Sequence, residues 1–217
     1  MQILELFSGG QSVARCAREL GHTVLTLDIS SRHRPDLCMS VLGFIPGITI
    51  PAFVPDFIWA SPPCESYSLA RSNAIADKEE AMRAADELVA HTLKIIGFYK
   101  CHFCIENPAS SRLWKRDVAR ELLDSSCITS YCSFGMPYRK ETRIASSFPL
   151  NLPRCLGEGR CQAMIGRSHK EWAQRAINLK RKGAAEQRNH TLDELHSIPC
   201  DLIKAILDQL HHTTSHL

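Results

Sequence analysis

Short apolar runs alternate with amphipathic segments along the first half of this chain. Buried strands are typically about four to eight residues long and rich in β-branched and aromatic side chains. Runs of this kind stand at ILELF (3–7), TVLTLDIS (23–30), PDFIWAS (55–61) and FCIENP (103–108). Apolar residues at helical spacing predict one helix after the first run and a longer helix over residues 78–99, where Asp77 and Glu80 have capping-box spacing.

The second half of the chain has a different pattern. The segments CITSYCSF (127–134) and ETRIASSF (141–148) predict a late antiparallel hairpin. Residues 149–190 are rich in glycine, arginine and lysine and only weakly periodic, and residues 191–207 predict a helical end segment interrupted at Pro199. Because strands alternate with helices before the hairpin, we predict an α/β fold with a mostly parallel, doubly wound sheet.

Composition and charge restrict the class of protein. The chain has 217 residues, of which 44% are hydrophobic and 23% charged, as is typical of a globular protein of one domain or slightly more. A net charge of +3 permits a polyanionic partner without requiring one. No apolar run reaches the ~20 residues of a membrane span, and the first residues lack the basic region of a signal peptide. We expect the ten cysteines to be mostly reduced thiols in a cytoplasmic or nuclear protein.

The turn LFSGGQS (6–12) joins the first predicted strand to the first predicted helix. Glycines at such a turn let the backbone approach a ligand and direct helix N–H groups towards it. Asp28, at the end of the second strand, could accept hydrogen bonds from ribose hydroxyls. The same residues are also compatible with a tight turn that binds nothing and with an acid that caps a helix.

Cys64 follows two prolines in SPPCESYS (61–68), directly after a predicted buried strand. Prolines fix φ and remove N–H donors, so they stiffen the backbone and end the strand. Cysteine is a strong nucleophile near neutral pH once its thiolate is favoured, and a helix beginning after Cys64 would help to stabilise that anion. These features predict either a nucleophile on a rigid support or a cysteine that simply lies in a turn.

Two further segments carry charged side chains near predicted strand ends. In IENP (105–108), Glu106 lies at the carboxyl edge of the sheet, where it could hold a proton for a substrate nitrogen. In YRKETRI (138–144), strand alternation places Arg139, Glu141 and Arg143 on one face, where an arginine could hold phosphate or carbonyl oxygens. A turn cap at Glu106 and an exposed, charge-paired strand face are the alternatives.

Taken in this order, these elements resemble the cytosine-5 DNA methyltransferases. The resemblance is carried by LELFSGGQS (4–12), Asp28, SPPCESYS (61–68), IENP (105–108), YRKETRI (138–144) and RNHTLDELHSIPCDLI (188–203). The chain looks like the short forms found in phages and large viruses, where ENP replaces the commoner ENV. The resemblance implies a Rossmann-like, S-adenosylmethionine-dependent methyltransferase fold.

The resemblance also implies roles for individual residues. Cys64 would attack a cytosine flipped out of DNA, Glu106 would bind the ring, and Arg143 would hold the base oxygen or a nearby phosphate. S-adenosylmethionine would contact Phe7, Ser8, Gly9, Gly10, Asp28 and Pro62. Nucleic acid would contact Ser68, Arg139, Arg167, Lys170 and Arg175.

The resemblance divides the chain into two parts. Residues 1–148 and 191–217 would form the catalytic domain, and residues 149–190 would form a small basic lobe in place of a full target-recognition domain. We expect DNA as the partner, no membrane contact and a monomer. Within the lobe, Cys155, Cys161 and His169 have a spacing looser than that of typical zinc knuckles, so we predict no metal site.

Two alternative functions stay open at this point. One is methylation of cytosine in RNA, for which the catalytic residues would be the same. The other is a catalytically degraded nucleic-acid-binding protein that has kept the fold. Three departures from the family pattern bear on it, because Gln11 replaces a glycine, Ser40 replaces a cofactor-contacting aspartate, and Glu141 stands where relatives often carry arginine.

Overall fold

A computed structural model describes residues 1–68, 75–173 and 190–214 of the chain. Within these residues, the main sheet consists of β1 (Gln2–Leu6), β2 (Thr23–Asp28), β3 (Leu37–Cys38), β4 (Phe57–Ala60), β5 (His102–Pro108), β6 (Ser126–Ser130) and β7 (Glu141–Ser146). A separate hairpin pairs β8 (Met164–Ile165) with β9 (Ser168–His169). The α-helices are α1 (Ser12–Glu19), α2 (Ile75–Tyr99), α3 (Arg120–Asp124), α4 (Leu192–His196) and α5 (Cys200–Thr214).

The main sheet has the strand order β3-β2-β1-β4-β5-β7-β6. Strands β1 to β5 run parallel to one another, whereas β7 is antiparallel to both β5 and β6. The order reverses direction at β1, with β2 on one side and β4 on the other, which creates the crevice at which open α/β sheets bind ligands. The predicted mostly parallel sheet with a late antiparallel hairpin is confirmed.

Both faces of the sheet are buried, because the central strands are apolar at successive positions. In β4, Phe57 and Trp59 pack into a core that includes side chains of α1 and α5. Ile58 and Ala60, which point the other way, pack into a second core with α2 and α3. The result is a three-layer arrangement that holds the strand ends rigidly and so fixes the residues that follow them.

The helices differ from their predicted bounds mainly at the start of α2, which begins at Ile75 rather than residue 78. The predicted break at Pro199 is confirmed, since α4 ends before it and α5 begins after it. Cys16 of α1 and Cys200 of α5 form a disulfide. The other eight cysteines are free, which agrees with mostly reduced thiols. Among the described helices, none has the length and apolar character needed to cross a membrane.

The segment predicted as a basic lobe is described over residues 149–173, and residues 174–189 lie outside the described part of the chain. Its only regular structure within that range is the short β8–β9 hairpin. Residue 190 and the two helices that follow return to the main sheet, where Leu202 and Ile206 of α5 are buried against α1. The division into a catalytic domain and a lobe stays a prediction.

Candidate active site

A cavity of about 310 Å³ lies at the carboxyl ends of β1, β2, β4 and β5. It is bordered by all of the residues predicted to bind the cofactor and by two of the three predicted to be catalytic. These are Phe7, Ser8, Gly9, Gly10, Asp28, Pro62, Cys64 and Glu106. Residues that are far apart in the chain therefore meet in one space, because parallel strands end at one edge of the sheet.

The glycine turn after β1 leaves the cavity open. A Cβ atom built on Gly9 or Gly10 would meet no heavy atom within 4 Å, and Gly9 has a φ of +44°, which favours glycine. Asp28 fixes the turn, since its Oδ2 accepts a hydrogen bond from the Gly9 N–H at 2.8 Å. Its Oδ1 accepts from the Ser30 N–H at 2.8 Å, and both carboxylate oxygens keep further lone pairs for a ligand.

Gln11, where relatives carry glycine, does not border the cavity. Its backbone keeps the left-handed conformation that favours glycine, with a φ of 56°. Its side-chain Nε2 donates to the carbonyl oxygen of His33 at 2.7 Å, so the side chain is directed at a neighbouring loop. The substitution therefore leaves the cavity free. Ser40 does border the cavity and caps a short 3₁₀ helix.

The loop that carries Cys64 is anchored at both ends. Asn107 Nδ2 donates to the Pro62 carbonyl oxygen at 2.8 Å, which ties the start of the loop to the end of β5. The Tyr67 hydroxyl donates to Asp86 of α2 at 2.9 Å, and the Tyr67 side chain is fully buried. Residues 64–68 form a turn and not the start of a helix, and residues 69–74 lie outside the described range. Two prolines and two anchors, one of them on α2, thus hold the thiol.

Glu106 faces Cys64 across the cavity from a largely buried position, with 6% of its surface exposed. Its Oε1 accepts hydrogen bonds from the hydroxyls of Thr142 and Tyr131. Burial raises the pKa of the Cys64 thiol, the Glu106 carboxylate raises it further, and the nearby Lys140 lowers it. Burial and the Glu106 charge together therefore favour the protonated thiol at neutral pH.

The structure does not bring Arg143 into the cavity, which corrects the predicted catalytic set. Thr142 points towards Glu106, so the next residue in β7 points to the opposite face of the sheet. There, Arg143 Nη1 donates to Ser126 Oγ at 2.8 Å, and the guanidinium lies 5.6 Å from the centre of the Trp114 ring. The alternation of β7 was predicted correctly, but the face that meets the cavity is the one carrying Lys140 and Thr142.

Glu5, Lys140 and His196 also border the cavity, although no role was predicted for them. Glu5, buried inside β1, has its pKa raised to about 8 by burial, although it accepts a hydrogen bond from the Ala14 N–H. Lys140 Nζ lies 4.6 Å from the centre of the Tyr131 ring. His196, the last residue of α4, has its pKa lowered by burial and by Lys140, so a neutral imidazole borders the cavity at pH 7. A lone acid within an apolar run was the one signal for Glu5 in the sequence.

The residues predicted to contact nucleic acid lie outside the cavity or outside the described range. Arg139 pairs with Glu141 at 2.5 Å, and Arg167 pairs with Glu158 at 3.7 Å. The remaining predicted contacts are Ser68, at the end of the Cys64 loop, Lys170, which is exposed, and Arg175, which lies outside the described residues. Their binding role stays a prediction.

The chain is similar in sequence to a probable DNA (cytosine-5)-methyltransferase of Frog virus 3 (isolate Goorha). The two are 28% identical over an alignment of 176 positions, which covers 76% of this chain and 79% of the viral protein. This relative confirms the resemblance on which the motif analysis rests. No family model matches the chain.

Two solved structures show the same fold. The Entamoeba histolytica methyltransferase EhMeth matches with a TM-score of 0.51 and 18% identity, over 71% of this chain and 57% of its own. A protein described as a DNA modification methyltransferase encoded within an E. coli prophage matches with a TM-score of 0.50 and 15% identity, over 66% of this chain and 45% of its own. The chain thus spans about half the length of these two structures. The Rossmann-like methyltransferase fold is confirmed.

Proposed function

We propose that this chain transfers a methyl group from S-adenosylmethionine to carbon 5 of a cytosine flipped out of DNA. The observation that carries the proposal is that Cys64 and Glu106 border one cavity together with the glycine turn after β1. The similarity to a viral protein named as a probable DNA (cytosine-5)-methyltransferase supports the same activity and the same substrate.

The cavity fits S-adenosylmethionine. Ser8 Oγ and Asn107 Oδ1 are buried at its wall without a hydrogen-bond partner among the described residues, which is the state expected of groups that bind a polar ligand. The cofactor, when bound, supplies an electrophilic methyl group. It would be held by Phe7, Ser8, Gly9, Gly10, Asp28 and Pro62.

Cys64 would activate the cytosine ring, because carbon 5 is too weak a nucleophile on its own. The thiolate sulfur would form a bond to carbon 6, and the electron pair of the 5,6 double bond would move to carbon 5. Carbon 5 would then take up the methyl group, whose bond to the cofactor sulfur breaks and leaves a neutral thioether. Loss of the proton on carbon 5 and departure of the sulfur then restore the double bond and the ring. The anchored loop holds the sulfur in place, so little motion of the protein is needed in this step.

Glu106 would hold a proton for nitrogen 3 of the ring and accept from the exocyclic amine, which makes carbon 6 more electrophilic. A Glu106 carboxyl that holds this proton no longer carries the charge that raises the pKa of Cys64. Binding of the base therefore favours the thiolate at the moment it is needed. Lys140, which lowers the pKa of the same thiol, would support the anion.

A methyl-transfer assay tests the proposal and separates it from methylation of RNA. The purified full chain is incubated with S-adenosylmethionine and with DNA or RNA of the same sequence, and 5-methylcytosine is measured by mass spectrometry. We expect product in DNA from the wild type and from Cys38→Ser, an exposed free cysteine outside the cavity, and none from Cys64→Ala. Product in RNA alone would overturn the assignment of DNA as substrate.

A binding measurement separates the proposal from a protein that kept only the fold. Calorimetric titration of the wild type with S-adenosylmethionine should give a binding isotherm, since Gln11 is directed away from the cavity. Absence of binding at millimolar cofactor, together with intact binding of DNA, would favour the non-catalytic alternative.

A further inference from the structure

Four metal-binding side chains come together outside the cavity, where β6 meets the segment predicted as a lobe. They are Cys132, Cys155, Cys161 and His169, and one ligand atom of each lies within 4.8 Å of those of the other three. We call this set the Cys₃His cluster. The expectation of no metal site considered only the three later residues and their spacing, without Cys132.

Two distances in the Cys₃His cluster match those of a tetrahedral zinc site. Zinc binds cysteine sulfur at about 2.3 Å and histidine nitrogen at about 2.0 Å, so a sulfur and a nitrogen on one tetrahedron lie about 3.5 Å apart. Cys155 Sγ lies 3.5 Å from His169 Nε2, and Cys161 Sγ lies 3.6 Å from the same nitrogen. All three cysteines are free, so a disulfide does not account for their approach.

The local chain is shaped to present these ligands. The loop CLGEGRC has two glycines at positive φ, 78° at Gly157 and 75° at Gly159, which let it turn back on itself. The Cys161 N–H donates to the Gly157 carbonyl oxygen at 3.0 Å, and the Cys155 N–H donates to Ser130 Oγ at 3.0 Å. The β8–β9 hairpin then returns His169 to the same point.

The segment around the cluster has no hydrophobic core to hold it. Among residues 153–173, Ala163 is the one buried side chain. A chain segment of this size needs another source of order, and small lobes of this kind are commonly stabilised by disulfides or by a metal ion. Cys132 is itself buried and belongs to the 3₁₀ helix Tyr131–Phe134 after β6, so a metal at the cluster would fasten the segment to the main sheet.

We propose that Cys132, Cys155, Cys161 and His169 bind one Zn²⁺ ion as a structural site. Three thiolates and an imidazole are a ligand set that zinc prefers, and four protein ligands close the site to substrate and water. The ion would fix the β8–β9 hairpin beside Tyr131, whose hydroxyl donates to Glu106 in the cavity. The proposal does not depend on the proposed methyl transfer.

Metal analysis of the purified full chain tests the proposal. We expect about one zinc ion per chain in the wild type, measured by mass spectrometry of the metal content and by release with a mercurial reagent in the presence of a zinc indicator. Cys155→Ser and His169→Asn should each lower the zinc content at least about tenfold. Cys38→Ser, the matched control for loss of a free thiol, should keep the wild-type content.

Two further measurements test the proposal even if a variant folds poorly. One replaces the zinc by cobalt, and the other exchanges one metal-ligating residue for another. Co²⁺ added to metal-free wild type should give the intense visible bands of a tetrahedral site and a thiolate-to-metal charge-transfer band. Cys155→His, which exchanges one zinc ligand for another, should retain zinc where Cys155→Ser does not. Folded wild type without zinc and without these cobalt bands would overturn the proposal, as would stoichiometric iron or copper in place of zinc.

Discussion

The cavity and the Cys₃His cluster are built in opposite ways. The residues that border the cavity belong to short motifs at strand ends or directly after them, as Gly9, Cys64 and Glu106 do, and the parallel sheet brings those strand ends together. The cluster joins Cys132, next to β6, to a loop and a hairpin that have almost no core of their own. The cavity is a consequence of the fold, whereas metal binding at the Cys₃His cluster would stabilise part of the fold.

The largest effect is expected at the centre of the cavity. Glu106→Gln should lower the rate of methyl transfer by about 10³-fold, because an amide cannot give up a proton to nitrogen 3. Because it also removes the charge that raises the pKa of Cys64, alkylation of that thiol by iodoacetamide should become faster. Peptide mass spectrometry measures the alkylation, and Glu121→Gln on the exposed face of α3 is the control. Slower alkylation in Glu106→Gln would contradict the assigned electrostatics.

The next largest effect is on the free energy of unfolding, through the buried Glu5 at the cavity. The pKa of Glu5 is about 8 in the folded chain and 4.5 in the unfolded chain. The folded chain therefore favours the protonated form of Glu5. Its stabilising contribution is complete below pH 4.5 and is lost as the pH rises through 8. Glu5→Gln, which cannot ionise, should therefore be more stable than wild type at pH 8 by about 4 kcal/mol and nearly equal to it at pH 4.5. Urea unfolding at both pH values measures the difference, and equal curves at pH 8 would contradict the burial argument.

A smaller effect separates the two faces of β7. Lys140→Met should lower methyl transfer by about tenfold, because the remaining charges then disfavour the Cys64 thiolate. Arg143→Lys keeps a positive charge on the opposite face and should change the rate by less than about threefold. A larger loss in Arg143→Lys than in Lys140→Met, at equal thermal stability, would restore the arginine to the catalytic set.

The smallest effect on the cavity is expected when zinc is removed from the Cys₃His cluster. Removal of zinc by a chelator should leave the affinity for S-adenosylmethionine within about threefold of its starting value, because the residues predicted to bind the cofactor lie in the turn after β1, at the end of β2 and on the Cys64 loop. Residues 153–173 should at the same time become accessible to protease. Calorimetry and limited proteolysis measure the two. A chelator that abolishes cofactor binding would show that the two sites are one unit.

The local sequence predicted the motifs that border the cavity. It did not predict which face of β7 meets the cavity, or that His196 borders it. Alternation shows which residues share a face of a strand, and it does not show which face meets the cavity, so Arg143 was assigned to the wrong side. His196 borders the cavity because tertiary contacts fix the turn that follows it. One such contact is the hydrogen bond from the Ile198 N–H to Ser12 Oγ at 2.9 Å. Cys132 stands outside the segment of the other cluster ligands, and only the folded sheet brings it to them.

The most direct test of the central claim is covalent trapping at Cys64. DNA that carries 5-fluorocytosine cannot lose the substituent on carbon 5, so the sulfur stays bonded to carbon 6 after methyl transfer. We predict that wild type with S-adenosylmethionine forms a denaturation-resistant complex with this DNA, that peptide mapping places the adduct on Cys64, and that Cys64→Ser forms none. A covalent complex that survives Cys64→Ser, or an adduct mapped to another residue, would contradict the account.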